Sequence, residues 1–283
     1  MFLSTFFNGL TLAALLFIMA IGLNLSFGLL RVVNLSHGAF YLFGGYIGLS
    51  VLKSTGHWWL GVLCGALVAG GIAAIEEIFF LRRVRGKSTL ETLITLSMAI
   101  IISDLIVVIW GGNPKMIAIP KALKGFVSLF TVNVPIYNLF LLTFACVIGL
   151  GLWLLINKTK MGMIIRAGVD NFEMVSALGI NIRLVFTLVF SLAGFMAGMA
   201  GVIGGTFLMV APGEDWRILT YTLLIIIIGG MGSFGGTIIG SIIIGLIFSF
   251  GSVYVPQFSL FLMFAPVALT LVIRPKGLFG RTL

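Results

Sequence analysis

The sequence predicts an all-α fold, a polytopic membrane bundle of helices in which some are short, broken or re-entrant. Three observations predict it: 60% of the residues are hydrophobic and only 9% are charged, apolar segments recur at lengths suited to a bilayer, and glycine-rich polar breaks interrupt two of them. A soluble domain carries roughly a quarter charged residues. A helix needs about 20 apolar residues to cross ~30 Å of hydrocarbon. Because it satisfies its own backbone hydrogen bonds, it is the form such a segment takes in lipid. No alternating ten-residue pattern of the kind a barrel strand shows is present. The lipid bilayer is therefore the first partner of this chain, and residues 1–283 read as one transmembrane domain of about eight spans.

In chain order the apolar spans fall at 6–28, 38–52, 58–80, 90–110, 136–156, 184–210, 219–233, 236–252 and 259–273. The first lacks a basic leader and a small-residue cleavage site, so it reads as a retained span and not as a signal peptide. A net charge of +9 would suggest nucleic acid in a soluble protein. Here the basic residues lie between spans and report orientation, so no nucleic-acid partner is expected. LRRVRGK at 81–87, the 157–183 stretch and the RPKGLFGRTL tail hold most of the Lys and Arg, which places all three in the cytoplasm. The connections 111–135 and 211–217 then face outside, with Trp58, Trp59, Trp110 and Trp216 at span edges as interfacial aromatics. From Arg217 outside to Arg274 inside the chain must cross an odd number of times: one crossing with a re-entrant piece, or three short crossings. Cys64 and Cys146 both lie in apolar spans and read as small packing residues, not as a disulfide or a metal site.

The two breaks are RVVNLSHGAF at 31–40, with Arg31, Asn34, Ser36 and His37, and GGMGSFGG at 229–236. Each sets glycines against a short apolar segment. Such paired interruptions point to internal repeats around a central pathway, and a break at membrane depth is tolerated only where protein covers it or a wet cavity adjoins it. GxxxG spacings at Gly44–Gly48, Gly194–Gly198 and Gly236–Gly240 mark close helix contacts.

Catalytic readings fail on the residues. RGKST at 85–89 resembles the end of a phosphate-binding loop, but the required glycine is Leu81. No nucleotide site is present in this chain, so it needs no cofactor, and any ATP that drives it is used by a partner. Ser36 beside His37 lacks base geometry and a third orienting group, and His37 has no second ligand at metal spacing. Helix capping or lining of a pathway remains for both. Among the carboxylates, Glu76 and Glu77 can snorkel to the basic 82–87 run, and Glu91 suits the positive end of the next helix. Asp104 is the one placed deep enough for a transport role or an interhelical hydrogen bond.

The cytoplasmic RAGVDNFEMVSALGI stretch predicts a short amphipathic helix. Asp170 and Glu173 fit a capping box and Gly179 a C-terminal stop, with Phe172, Val175 and Leu178 on one face and Arg166 and Arg183 flanking. A helix so short needs a surface to lie against. Its acidic polar face fits docking to a partner better than lying on anionic lipid.

These residues resemble a known family: the LivH-type permease subunits of bacterial ABC importers for branched-chain amino acids. The resemblance rests on GLNLSFGLLRVVNLSHGAFYLFGGYIG, RAGVDNFEMVSALGINIRLVFTLVFSLAGFMAGMAGVI and IIIIGGMGSFGGTIIGSIIIG, in that order along nearly the whole chain. It implies a type II-like ABC importer permease fold in the bacterial plasma (inner) membrane. It also implies a second, often non-identical permease subunit, two cytoplasmic ABC ATPase subunits and an external substrate-binding protein. The 170–178 helix then looks like an ATPase-coupling helix carried by Arg166, Asp170, Phe172, Glu173, Val175, Leu178 and Gly179. The translocation route would run beside Asn24, Ser26, Asn34, Ser36, His37, Tyr41, Gly230 and Ser233, which either touch the solute or hold the breaks in shape. Relatives carrying urea, short amides or aromatic carboxylates share these motifs and form the alternative. A stand-alone secondary transporter would need a buried ion site, for which the sequence offers at most Asp104.

Overall fold

The apolar spans become helices, as the computed structural model of the chain shows over residues 1–30, 33–129, 132–170 and 172–280. Helix α1 is Phe2–Leu30, α2 His37–Thr55 and α3 Trp58–Glu76; α3 continues through a π-helical turn, Glu77–Leu81, into the one-turn α4, Arg82–Val84. Then come α5 (Ser88–Trp110), a hairpin of β1 (Phe126–Leu129) and β2 (Val132–Pro135), α6 (Ile136–Lys158), α7 (Lys160–Asp170), α8 (Phe172–Ala177) and α9 (Ile182–Phe207). Helices α10 (Glu214–Gly229), α11 (Phe234–Tyr254) and α12 (Ser259–Ile273) complete the chain. Among the described residues, seven helices are long and apolar enough to cross a membrane. Helix α10, at 16 residues, spans only about 24 Å at 1.5 Å per residue, short of the hydrocarbon thickness. Between Arg217 and Arg274 the chain forms three separate helices and not one long span with an insert.

Three features were not legible. The 111–135 connection contains an antiparallel hairpin that pairs Val127 with Val134 and Ser128 with Asn133. A helix, α7, occupies Lys160–Asp170, so Asp170 ends a helix where the capping-box reading had it start one. Ile165 holds α7 in place by packing against Leu25, Val185 and Val189. That burial outweighs the local capping signal. Trp58 is 3% exposed and donates its indole N–H to the Thr206 hydroxyl at 3.0 Å, while Trp110 donates to Ser50 at 2.7 Å. These two are packing residues whose N–H groups are paired inside the protein, and only Trp59 and Trp216 of the four present exposed rings.

The chain forms two compact units, one from Met1–Asn24, Ala118–Gly149 and Thr220–Leu283, the other from Leu25–Ile117 and Leu150–Leu219. In the second unit α2, α3 and α9 pack at glycines. Gly44 sits on Gly198, Gly65 on Gly44, and a Cβ on Gly194 would come 2.9 Å from the Ala69 carbonyl oxygen. Two of the GxxxG spacings thus face one another, with Phe40, Tyr41, Tyr46 and Phe190 filling the core beside them. At one end Lys115 and Val210 exchange backbone hydrogen bonds of 2.9 and 2.8 Å, which ties together the two connections assigned to the outside.

In the first unit α1 runs antiparallel to α11. Gly9 meets Gly245, the Ser249 hydroxyl donates to the Thr5 carbonyl at 2.8 Å, and Asn24 reaches Thr237. The third GxxxG serves the α10–α11 pair, with Gly236 on Gly229 and Gly240 on Ile225. Leu278 and Phe279 of the basic tail donate to the carbonyls of Ile228 and Gly229, so Asn24 and the tail share one side. Since Arg and Lys mark the inside, α1 begins outside.

Adding side-chain volume at the α2–α9 crossing should be costly. Gly44→Val should destabilise the solubilised protein by about 1–3 kcal/mol through overpacking, read as a lower thermal midpoint in size-exclusion assays. Gly71→Ala, inside α3 where an added methyl meets nothing, should not lower that midpoint and should raise it slightly through the better helix propensity of Ala.

Candidate functional site

The pathway candidates divide between two polar clusters, one in each unit. The first sits at the head of α2. The Ser36 hydroxyl donates toward Asn34 Oδ1 (2.6 Å) and Glu76 Oε1 (3.0 Å). The Thr95 hydroxyl accepts the Leu35 N–H at 3.2 Å and lies 3.1 Å from the Val33 carbonyl. Asn34, Ser36, His37, Glu76 and Thr95 are all 0% exposed. Backbone groups released where one helix ends and another begins are thus met by side chains, as an apolar surrounding requires. Ser36 does not cap α2: its side chain makes no bond to the first-turn N–H groups because it is committed to Asn34 and Glu76. Tyr41, one turn further along, is fully buried with its hydroxyl packed against Gly204. Arg31 lies outside the described residues.

The second cluster closes the GGMGSFGG break. Asn24 accepts the Gly232 N–H at 2.7 Å and donates to the Ser233 carbonyl at 3.0 Å and the Thr237 hydroxyl at 2.7 Å. Here the serine does cap: Ser233 Oγ accepts the Gly236 N–H at 3.1 Å. Gly230 and Gly232 have φ of 95° and 76°, a region that glycine enters without steric cost, and the backbone at Gly230 lies against Gly277 and Gly280 of the tail. Ser26, two residues beyond Asn24 on α1, is fully buried.

The carboxylates are arranged differently from the sequence expectation. Glu77 does reach the basic run, at 2.6 Å from Arg85 and 3.3 Å from Arg82, and it also accepts from the Thr187 hydroxyl. Glu76 turns to Ser36 instead, since neighbours on a helix point about 100° apart. Asp104 is exposed. Asp215, by contrast, is buried, 2% exposed, and accepts from Ser103 at 2.6 Å. Glu91 accepts the Gly86 N–H at 2.9 Å in the first turn of α5. Burial pulls the Arg85 guanidinium below its ordinary value while Glu77 pulls it back up.

On the cytoplasmic segment, Val175 is 4% exposed and packs against Ile180, Ile182 and Phe186. Leu178 and Met174 are 74% and 65% exposed. The expected shared face of Phe172, Val175 and Leu178 is therefore split, because the hydrophobic cluster at the start of α9 claims Val175. Arg166 is exposed and lies 3.3 Å from Asn157 Oδ1. Gly179 ends the helical stretch with φ of 80°. The side chains of Asp170, Phe172 and Glu173 lie outside the described residues. Among the described residues no group of three His, Cys, Asp or Glu could hold a metal ion.

Comparison with known proteins places this arrangement. The family model described as branched-chain amino acid transport system / permease component matches residues 5–272. The chain belongs to that family and is a multi-pass inner-membrane protein of the ABC transporter permease class. It is 29% identical, over 99% of its length and 96% of the relative's, to the high-affinity branched-chain amino acid transport system permease protein LivH of Escherichia coli (strain K12). It is 27% identical, over the same shares, to the permease protein BraD of Pseudomonas aeruginosa. The fructose import permease protein FruF of Bifidobacterium longum is 27% identical over 76% of this chain and 61% of its own. No solved structure matches.

Asn24→Ala removes three hydrogen bonds at the second break and takes the side-chain partner from the Gly232 N–H, while the Ser233 carbonyl keeps its bonds from Thr237. The substitution should destabilise the protein by about 1–3 kcal/mol, measurable as a thermal-midpoint shift. Asn24→Asp, which still accepts from Gly232 but no longer donates, should fall between Ala and wild type.

Proposed function

We propose that the chain is the membrane-spanning permease subunit of an ATP-driven importer, forming the pathway for branched-chain or other hydrophobic amino acids delivered by an external binding protein. The observation that carries this reading is the family match across 5–272. The amino-acid permeases LivH and BraD are matched over 99% of the chain, whereas the sugar permease FruF is matched over 76%. Two cytoplasmic ABC ATPases would supply the energy and a second, non-identical permease subunit would complete the pathway. ATP is then used by those partners. The ATPase seat would be the segment spanning α7 and α8, where Met174 and Leu178 stand exposed and the basic Arg166 is exposed too. Transport would proceed by rigid-body rearrangement of packed helices. The glycine-on-glycine contacts support this, because smooth backbone surfaces pack closely without interlocking side chains.

In proteoliposomes, leucine uptake should require this chain together with the second permease, the ATPases and the binding protein. Uptake by this chain alone would favour a secondary transporter. A fructose signal equal to the leucine signal would move the solute assignment toward sugars. Leu178→Glu should lower ATPase co-purification about tenfold while leaving membrane insertion intact, the loss expected for one apolar anchor at an interface. Undiminished retention would exclude Leu178 from the seat.

A further inference from the structure

Within the unit formed by 25–117 and 150–219, side chains form an unbroken line of contacts from the cytoplasmic segment to the head of α2. Val175 of α8 packs on Phe186 of α9, and the Arg85 guanidinium lies 4.3 Å above the Phe186 ring. The same guanidinium pairs with Glu77 at 2.6 Å. Arg82 joins Glu77 at 3.3 Å and donates to the Thr187 hydroxyl at 2.8 Å, and Thr187 donates to Glu77 in turn. Glu77 therefore gathers α3, the basic loop and α9 at one carboxylate that is itself 0% exposed. The residue before it, Glu76, reaches Ser36 and through it Asn34.

The backbone at this junction departs from α geometry. Glu77–Leu81 is a π-helical turn, which holds one residue more than an α turn and is found mostly as a single turn at functional sites. Closing it to α geometry would rotate everything beyond it by about 100°. The clamp stands at the first residue of this turn. A buried ion pair is often no more stable than well-packed apolar residues, so stability alone does not account for the clamp.

We propose that Glu77 is the positioning residue of a hinge at Glu77–Leu81, through which displacement of α8 resets the head of α2. Movement of α8 shifts Phe186, Phe186 carries Arg85, and Arg85 pulls on the carboxylate that starts the π turn. The adjacent Glu76 passes the change to Ser36. The hinge rests on the reading of α7 and α8 as the ATPase seat, and its test keeps the two apart.

The experiment uses the complete importer in proteoliposomes and reads three quantities: ATPase retained, ATP hydrolysed, and leucine imported per ATP. Glu77→Gln and Phe186→Leu, which lie at different points of the line, should each lower leucine imported per ATP by about fivefold, the scale of energetic coupling between linked sites. ATPase retention and hydrolysis should hold near wild type. Glu77→Asp, which keeps the charge, should recover most of the ratio. The hinge is overturned if uptake and hydrolysis fall in step so that the ratio stays at its wild-type value, if Phe186→Leu leaves the ratio untouched, or if Glu77→Asp is as uncoupled as Glu77→Gln. A wild-type preparation that retains no ATPase would instead overturn the importer reading beneath it.

Discussion

An unpaired backbone N–H or C=O costs several kcal/mol in hydrocarbon, and the architecture of this chain follows from meeting that cost wherever a helix is interrupted. Two interruptions are closed in two ways. At the head of α2 a threonine from another helix takes the backbone groups of Val33 and Leu35. At GGMGSFGG one asparagine takes Gly232 and Ser233, and the basic tail supplies backbone donors to Ile228 and Gly229. Asn24 and Ser233 thus spend their polar groups on the second break, whereas at the first Asn34 Nδ2, Tyr41 Oη and Glu76 Oε2 are buried without a hydrogen-bond partner among the described residues.

The second constraint is close approach. In lipid the hydrophobic effect no longer drives helices together, and packing at small residues does so instead. In the unit of α2, α3 and α9 that packing is made by Gly44, Gly65 and Gly198. In the other unit Gly9 and Gly245 serve α1 and α11. Smooth contacts of this kind would suit the rigid-body rearrangement proposed for transport. Directional polar links such as Glu77 with Arg82, Arg85 and Thr187 would then set which positions the rearranging elements hold.

Much of this was legible because hydropathy is a strong signal in membrane chains. All nine apolar runs became helices, the paired glycine spacings became contacts, and Gly179 became a helix stop. What stayed hidden depends on direction in space. Nothing local distinguishes Glu76 from Glu77, yet one meets Ser36 and the other the arginines. Asp104 sits deep in a span but on an outward face, while Asp215, at the edge of a connection, is buried. Val175 and Leu178 share a helical spacing, and the cluster at the start of α9 takes only the first. Helix α7 was missed because a capping pattern at Asp170 outcompeted, on paper, the burial of Ile165.

Hydrogen exchange resolved along the wild-type chain in lipid nanodiscs tests most directly the claim that these breaks are closed. Within 33–37 the amide of Leu35, and within 228–237 those of Gly230, Gly232, Ser233, Gly236 and Thr237, should exchange as slowly as amides within the neighbouring helices, because their partners release them only on local unfolding. Exchange at the rate of an open loop in either segment would contradict the account.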